Sequence, residues 1–158
     1  MAIRPLSMAD RALLREATLA NMNWDGPRFT LDDVDGSPEL SHYFTSFPSG
    51  RDFGLADVEG DTARAVAWLV FLPAEDPGYG FVDPGIPELS ITTFAGHRGE
   101  GIGEALLAEL IDRARSRGIP GISLSVADGN RARRLYDRAG FEVVGRSGSS
   151  DTMLLALT

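Results

Sequence analysis

The chain has no cysteine and no lysine, and each absence excludes a kind of chemistry. Without cysteine there is no disulfide, no thiolate metal ligand and no cysteine nucleophile. All fifteen basic residues are arginines, so a lysine Schiff base and the lysine of a phosphate-binding P-loop are excluded as well. Only His42 and His97 are available for a Ser-His-Asp relay, and neither lies in a G-x-S-x-G nucleophile elbow.

Positive charge and long apolar runs are also scarce. The formal net charge is -8 at pH 7, so the field of the whole protein repels phosphates and argues against a nucleic-acid partner. A cationic or neutral small substrate suits this field better. The opening residues MAIRPLSMADRALL lack the pattern of a signal peptide, and no apolar run approaches the roughly 20 residues of a membrane span. We therefore expect a soluble cytoplasmic protein with no membrane partner.

The 158 residues, 43% of them hydrophobic, are enough for one domain with its own core, covering 1–158. Periodicity and turn residues predict several strands, at 2–6, 53–58, 63–72, 88–94, 119–126, 141–145 and 152–157. The same signals predict helices that begin near residue 7 and that cover 101–117 and 131–139, with a short helix within 31–44. Segment 73–87, rich in proline and glycine, is predicted to be a loop. This order of elements predicts a mixed α/β protein.

Three glycines at alternate positions, Gly99, Gly101 and Gly103, directly precede the helical run ALLAELIDRA. A strand followed by a glycine-rich turn and a helix N-terminus leaves N–H groups without partners, and the helix dipole adds to the attraction for an anion such as phosphate. The dinucleotide-binding fingerprint G-x-G-x-x-G is incomplete here because its third glycine is missing. A plain connecting turn is the structural alternative to an anion site.

Two motifs together resemble a known family. The string RGEGIG (98–103) is similar to [QR]-x-x-G-x-[GA], the coenzyme A pyrophosphate loop of the GNAT superfamily of N-acetyltransferases. Downstream, NRARRLYDRAGF (130–141) resembles the N-x-A-x-x-L-Y-x-x-x-G-F element of the same family. The resemblance is closest over 88–141. It implies the GNAT fold, in which a mixed, mostly antiparallel central sheet is splayed between its fourth and fifth strands and flanked by helices.

The resemblance also implies a co-substrate, acetyl-CoA, and no metal. Main-chain N–H groups from Gly99 to Glu104 would bind the pyrophosphate, with glycine at 101 and 103 leaving room for its oxygens. Arg98 would add a charge-assisted contact or pack across the loop. Glu100, an acidic residue near phosphate, is expected to face solvent. The full set of expected cofactor-binding residues is Ile91, Thr92, Thr93, Arg98, Gly99, Glu100, Gly101, Ile102, Gly103, Glu104 and Asn130.

Some of these residues have a structural alternative. Ile91, Thr92 and Thr93 would hydrogen-bond the pantetheine arm through their main chain, as an added strand does. Asn130 suits a helix N-cap as well as a contact with the cofactor. The cluster of Arg131, Arg133 and Arg134 is either a seat for the 3′-phosphate of coenzyme A or a solvated helix face.

Two side chains are the expected catalytic residues by this resemblance. Tyr136 would protonate the leaving thiolate, its alternative role being a core aromatic of the helix. Glu88 would be the general base for the attacking amine. The expected activity is direct transfer of an acetyl group from acetyl-CoA to a small-molecule or peptide amine in a ternary complex, and the chain could work as a homodimer. The alternative is a non-catalytic module that binds or senses acyl-CoA.

The acceptor site is expected in segments 21–50 and 73–87. Aromatic side chains there would line a pocket and acidic ones would attract an ammonium group, unless they belong to the core under the loops. These candidates are Trp24, Phe29, Tyr43, Phe47, Tyr79 and Phe81, with Asp25, Asp32, Asp33 and Asp83.

Overall fold

The computed structural model describes residues 2–158, which form a seven-stranded open sheet with helices on both faces. The strands are β1 (Ala2–Pro5), β2 (Phe53–Glu59), β3 (Thr62–Val70), β4 (Glu88–Thr93), β5 (Gly121–Ala127), β6 (Glu142–Ser147) and β7 (Ser150–Ala156). They lie in the order β1-β2-β3-β4-β5-β7-β6, and every neighbouring pair is antiparallel except β4 and β5. The predicted mixed and mostly antiparallel sheet is confirmed.

The helices are α1 (Arg11–Met22), α2 (Leu31–Gly36), α3 (Pro38–Ser41), α4 (Ile102–Ser116) and α5 (Ala132–Ala139), and a 3-10 turn (Met8–Asp10) precedes α1. A capping box of Ser7 and Asp10 begins that turn, where the sequence predicts a helix start. Between residues 2 and 158, no helix has the length and hydropathy needed to cross a bilayer.

The short helix predicted within 31–44 is two helices rather than one. Ser37 has φ -115° and ψ 106°, which is extended backbone, and Pro38 begins the next helix. A proline ring disfavours helical backbone in the residue before it, so the helix breaks at this point. Both pieces supply apolar side chains to the core, including Val34 and Leu40.

Alternation along the central strands divides the interior into two cores. Ala65, Ala67 and Leu69 of β3 face α4 and α5, whereas Val66, Trp68 and Val70 face α1, α2 and α3. Leu106, Leu110 and Ala114 of α4 are fully buried. In the second core the Trp68 indole donates to the Tyr43 carbonyl oxygen at 2.9 Å. Each face of the sheet is therefore covered, as a sheet with strands hydrophobic on both sides requires.

The sheet is open at its centre, between β4 and β5. These parallel strands share a single registered pair, Glu88 with Ser123, supported by a hydrogen bond from the Ser123 N–H to the Pro87 carbonyl at 3.0 Å. Beyond that pair the strands diverge while β3 and β7 continue to pair with their outer edges. The splay implied by the family resemblance is confirmed.

Gly54 offers a test of the packing between β2 and β3. A Cβ at this position would lie 2.7 Å from the Ala67 carbonyl oxygen, 2.8 Å from Leu6 Cδ1 and closer still to Trp68 Cβ. We expect Gly54→Ala to lower the free energy of unfolding by about 1–3 kcal/mol because the core cannot accommodate the methyl group. The control is Gly36→Ala, whose added Cβ would meet no atom within 4 Å. Urea midpoints that are equal for the two variants would contradict this account.

Candidate active site

A cleft of about 1010 Å³ occupies the gap between β4 and β5. Its walls come from both strands, the end of α1, the start of α5 and the loops that flank them. Eight of the residues that the sequence predicts for the site line this cleft: Glu88, Ile91, Thr92, Thr93, Arg98, Gly99, Asn130 and Tyr136. The other predicted residues belong to the glycine loop and the first turn of α4, directly after Gly99.

The glycine loop presents a run of free N–H groups. None of the six main-chain N–H groups from Gly99 to Glu104 has a hydrogen-bond acceptor among residues 2–158. Gly99 has φ +80° and Gly101 has φ +76°, a left-handed conformation that glycine adopts without strain. At these two positions an added Cβ would meet no atom within 4 Å, so the backbone conformation, and not packing, requires glycine. A helix N-terminus with this many unpaired donors favours an anion.

Gly103 also has a packing role. A Cβ at 103 would lie only 2.8 Å from Thr93 Oγ1, which is a constraint additional to the room for phosphate oxygens that the family resemblance implies. Glycine at this position therefore lets α4 approach β4 closely. The loop and the strand edge that line the cleft are held together by this contact.

The charged residues of the loop point in different directions. Arg98 lines the cleft and its Nε donates to the Thr93 carbonyl oxygen at 3.2 Å, so the guanidinium lies across the end of β4. Glu104 accepts from Arg138 Nε at 3.0 Å and links α4 to α5. Glu100 is exposed and accepts no hydrogen bond within the described part of the chain. Of the three side chains, only that of Arg98 faces the cleft.

The edge of β4 that faces the cleft is formed by alternate residues. The Phe94 N–H donates to the Arg64 carbonyl on β3 at 2.9 Å, whereas Pro87 accepts from Ser123 on β5. Since N–H and C=O groups alternate between the two edges of a strand, Ile91 and Thr93 direct their main chain into the cleft and Thr92 directs its main chain to β3. The Thr92 hydroxyl lies 2.7 Å from Asn21 Oδ1 and packs β4 against α1.

Glu88 is buried at the apex of the cleft, where β4 and β5 separate. The Tyr43 hydroxyl donates to its Oε2 at 2.6 Å and itself accepts from the Tyr79 N–H at 2.9 Å. Burial raises the pKa of the Glu88 carboxyl to about 7, against the opposing effect of the Tyr43 hydrogen bond. A carboxyl group with this pKa can both accept and release a proton near neutral pH.

Segment 73–87 closes over Glu88 through two glycines. A Cβ at Gly78 would lie 2.6 Å from the Tyr43 hydroxyl and closer still to the Glu88 carboxylate. A Cβ at Gly80 would lie 2.7 Å from the Ser125 nitrogen of β5. The loop thus packs its main chain directly against the carboxylate and against the neighbouring strand, and it shields both from water.

Tyr136 is buried on α5, and its ring packs edge-on against Phe141 with centroids 5.9 Å apart. Its hydroxyl has no hydrogen-bond partner among residues 2–158, and it lines the cleft. Burial raises the pKa of the Tyr136 phenol above its ordinary value, so the group keeps its proton at neutral pH. Asn130 precedes the helix and its Oδ1 accepts from the Ala132 N–H at 3.0 Å, which is a capping contact.

The arginine cluster and the acceptor candidates separate in the structure. Arg133 binds Asp151 at 2.8 Å and also Asp137, whereas the exposed Arg131 lines the cleft. Among the acceptor candidates, Trp24, Asp25, Tyr43 and Tyr79 line the cleft. The others do not, namely Phe29, Phe47, Phe81, Asp32, Asp33 and Asp83.

The two expected catalytic side chains lie on opposite faces of the sheet. Tyr43, which holds Glu88, belongs to the core with α1, α2 and α3, whereas Tyr136 belongs to the core with α4. Glu88 and Tyr136 both line the cleft, so the cleft passes through the sheet where the strands diverge. The fold and the site together define a class of α/β protein. In this class, a cleft through a splayed sheet connects a glycine loop with unpaired N–H groups to a buried carboxyl group and a buried phenol.

The chain belongs to the acetyltransferase (GNAT) family, whose model matches residues 18–141. No curated protein sequence matches it. One similar solved structure is that of yncA, a putative acetyltransferase from Salmonella typhimurium, with acetyl-CoA. It is 24% identical to this chain with a TM-score of 0.70, and the match covers 100% of this chain and 94% of the other. The PaiA N-acetyltransferase of Thermoplasma acidophilum with coenzyme A is 18% identical, with a TM-score of 0.70 and 99% of both chains covered. A ribosomal-protein-alanine N-acetyltransferase from Brucella melitensis is 23% identical, with a TM-score of 0.63 and 99% of both covered.

The raised pKa of Glu88 predicts a pH-dependent cost to folding. The folded carboxyl titrates near pH 7 and an ordinary one near 4.5, so the unfolded chain loses this proton first and the contribution of Glu88 to stability falls as the pH rises between these values. We expect Glu88→Gln, which keeps an acceptor for Tyr43, to be more stable than the wild type at pH 8 by up to about 3 kcal/mol. The two proteins should be closer in stability at pH 4.5. Urea unfolding at both pH values measures this, and a constant difference would contradict it.

Removing the Tyr43 hydroxyl should raise the pKa of Glu88 further. The hydroxyl donates to the carboxylate and so favours its ionised form, an effect that Tyr43→Phe abolishes. Carbon-13 NMR of labelled glutamate side chains reports this titration directly, with Glu88→Gln identifying the resonance. Tyr136→Phe is the matched control, since Tyr136 makes no hydrogen bond to Glu88. The account fails if both phenylalanine variants leave the pKa where it is in the wild type.

Proposed function

We propose that this protein is an N-acetyltransferase that moves an acetyl group from acetyl-CoA directly to an amine in a ternary complex. The observation that carries the proposal is the continuity of the site. Six unpaired N–H groups at the start of α4 adjoin the free edge of β4, which leads to a cleft lined by Glu88 and Tyr136. Membership of the GNAT acetyltransferase family supports acetyl transfer as the general activity.

The residues present fit coenzyme A. The pyrophosphate would be held by the N–H groups from Gly99 to Glu104, with the Arg98 guanidinium beside them. The pantetheine arm resembles a peptide, and the main chains of Ile91 and Thr93 can bind it as an added strand. Arg131 and Asn130 on the opposite wall are available to the rest of the cofactor. The neighbours that hold acetyl-CoA and coenzyme A share this fold, which supports the assignment.

Glu88 and Tyr136 divide the proton transfers between them. The amine nitrogen forms a bond to the acetyl carbon, the carbon–sulfur bond breaks, and the products are an N-acetylated amine and free coenzyme A. Glu88 takes the proton that the nitrogen loses, directly or through water, because its pKa of about 7 leaves a large ionised fraction at neutral pH. Tyr136 gives its proton to the departing sulfur and is reprotonated from solvent.

Tyr136→Phe should separate chemistry from cofactor binding. We expect kcat to fall by about 100-fold or more because the sulfur would leave unprotonated, and the Kd for acetyl-CoA to stay within about twofold. Free thiol released with a panel of primary amines measures turnover, and calorimetry measures acetyl-CoA binding. Val144→Ala, an exposed change on β6 outside the cleft, is the control.

The same measurements separate the proposed enzyme from a non-catalytic acyl-CoA-binding module. Acetyl-CoA binding by the wild type without thiol release for any amine would favour the module. Absence of coenzyme A binding would contradict both functions. Full activity in Tyr136→Phe would remove Tyr136 from the mechanism and leave the transferase assignment intact.

A further inference from the structure

Four charged side chains within the described part of the chain line the cleft. Its two cations are Arg98, which precedes the run of unpaired N–H groups, and Arg131, which precedes α5. Its two carboxylates are Asp25, in the turn after α1, and Glu88 at the apex. Glu88, which Tyr43 holds, belongs to the face of the sheet opposite Tyr136.

Within residues 2–158 no cationic side chain pairs with Glu88, and the side chain that donates to its carboxylate is that of Tyr43. The Arg28 guanidinium pairs with Asp25 at 2.9 Å, on an exposed rim, and is not part of the wall. A carboxylate on the acceptor would therefore enter this part of the cleft without a partner of opposite charge, which is strongly unfavourable.

The remaining surface of this part of the cleft is largely apolar and aromatic. Trp24 is 41% exposed and Tyr79 is 51% exposed, which is unusual for large aromatic side chains on the wall of a cleft. Trp24 reaches from the end of α1 to the turn before α5, where its Cη2 lies 3.8 Å from the Cβ position of Gly129. Leu40 and Met22 complete the apolar lining. Aromatic faces bind both hydrocarbon and ammonium groups.

We infer that the acceptor is a primary amine with an apolar or aromatic body and no carboxylate next to its nitrogen. The inference rests on the proposed acetyl transfer and names the substrate class of the same site. Trp24 and Tyr79 would contact the body of the amine, while the ionised Glu88 carboxylate, which has no cationic partner within residues 2–158, would attract its ammonium form. Free α-amino acids are excluded by charge and not by size.

Two sets of three compounds test charge separately from size. The first set is phenethylamine, phenylalanine amide and phenylalanine, and the second is isopentylamine, leucine amide and leucine. Within each set the amide has the size of the acid but no negative charge. We expect kcat/KM for the amine and the amide to agree within about tenfold, and kcat/KM for the acid to be lower by about 100-fold or more. The amino group of the amide is less basic than those of the acid and the amine, so kcat/KM is expressed per concentration of unprotonated amine, which removes protonation from the comparison.

Two variants test whether Tyr79 contacts the body of the acceptor amine. Tyr79→Ala should raise KM for phenethylamine by about tenfold, with a smaller change in kcat, because the ring contacts the body of the amine and not the reacting atoms. Val82→Ala is the matched control, since Val82 is an exposed residue of the same loop that does not line the cleft. Equal effects of the two variants would overturn the assignment of Tyr79.

The outcomes also separate this inference from the proposed function. Thiol release with phenylalanine or leucine as fast as with their amides overturns the substrate class and leaves acetyl transfer standing. Loss of activity for amide and acid alike shows exclusion by size and also overturns the inference. Acetyl-CoA binding without thiol release for any of the six compounds contradicts acetyl transfer to this class and the inference with it.

Discussion

The broken ladder between β4 and β5 is the constraint on which the rest of this structure depends. After the single pair of Glu88 and Ser123, the strands separate in the middle of the sheet and leave the N–H and C=O groups of Ile91 and the N–H group of Thr93 facing a cleft, while the Thr93 carbonyl accepts from Arg98. Main-chain polar groups without partners are costly inside a protein, so they normally find a partner in a strand, a water or a ligand. Outer pairing to β3 and β7 holds the gap open, and a strand-like ligand can restore the missing bonds.

The same divergence creates the special environment of Glu88. A carboxyl group at the apex lies deep enough for burial to raise its pKa to about 7, yet it borders the open cleft. Two parts of the chain hold Glu88 in position. Tyr43, in the turn after α3, donates a hydrogen bond to it, and the main chain of segment 73–87 packs against it at Gly78. A buried polar group that is held from two sides in this way is fixed in orientation, as the general base proposed for acetyl transfer would have to be.

Most helices and strands and the glycine loop could be predicted from the sequence, because each depends on residues that are close together in the chain. The break at Pro38 was missed, although a proline restricts the residue before it and so carries a local signal for it. Contacts between distant segments had no such signal: Tyr43 and Glu88 are 45 residues apart in the chain, and only the folded sheet brings them within 2.6 Å. The role of Gly103 against Thr93 was hidden for the same reason.

The chain has a net charge of -8, and its positive charge comes entirely from arginines, many of which are paired within the fold. Several arginines are committed to carboxylates within the fold: Arg4, Arg15, Arg64, Arg133, Arg138 and Arg146. An anion at the start of α4 would therefore be bound mainly by uncharged N–H groups and the helix dipole, with a further contact from Arg98. Neutral donors bind phosphate without making the opposite face of the cleft positive. The protein can thus hold an anionic cofactor at one side of the sheet and attract an ammonium group at the other.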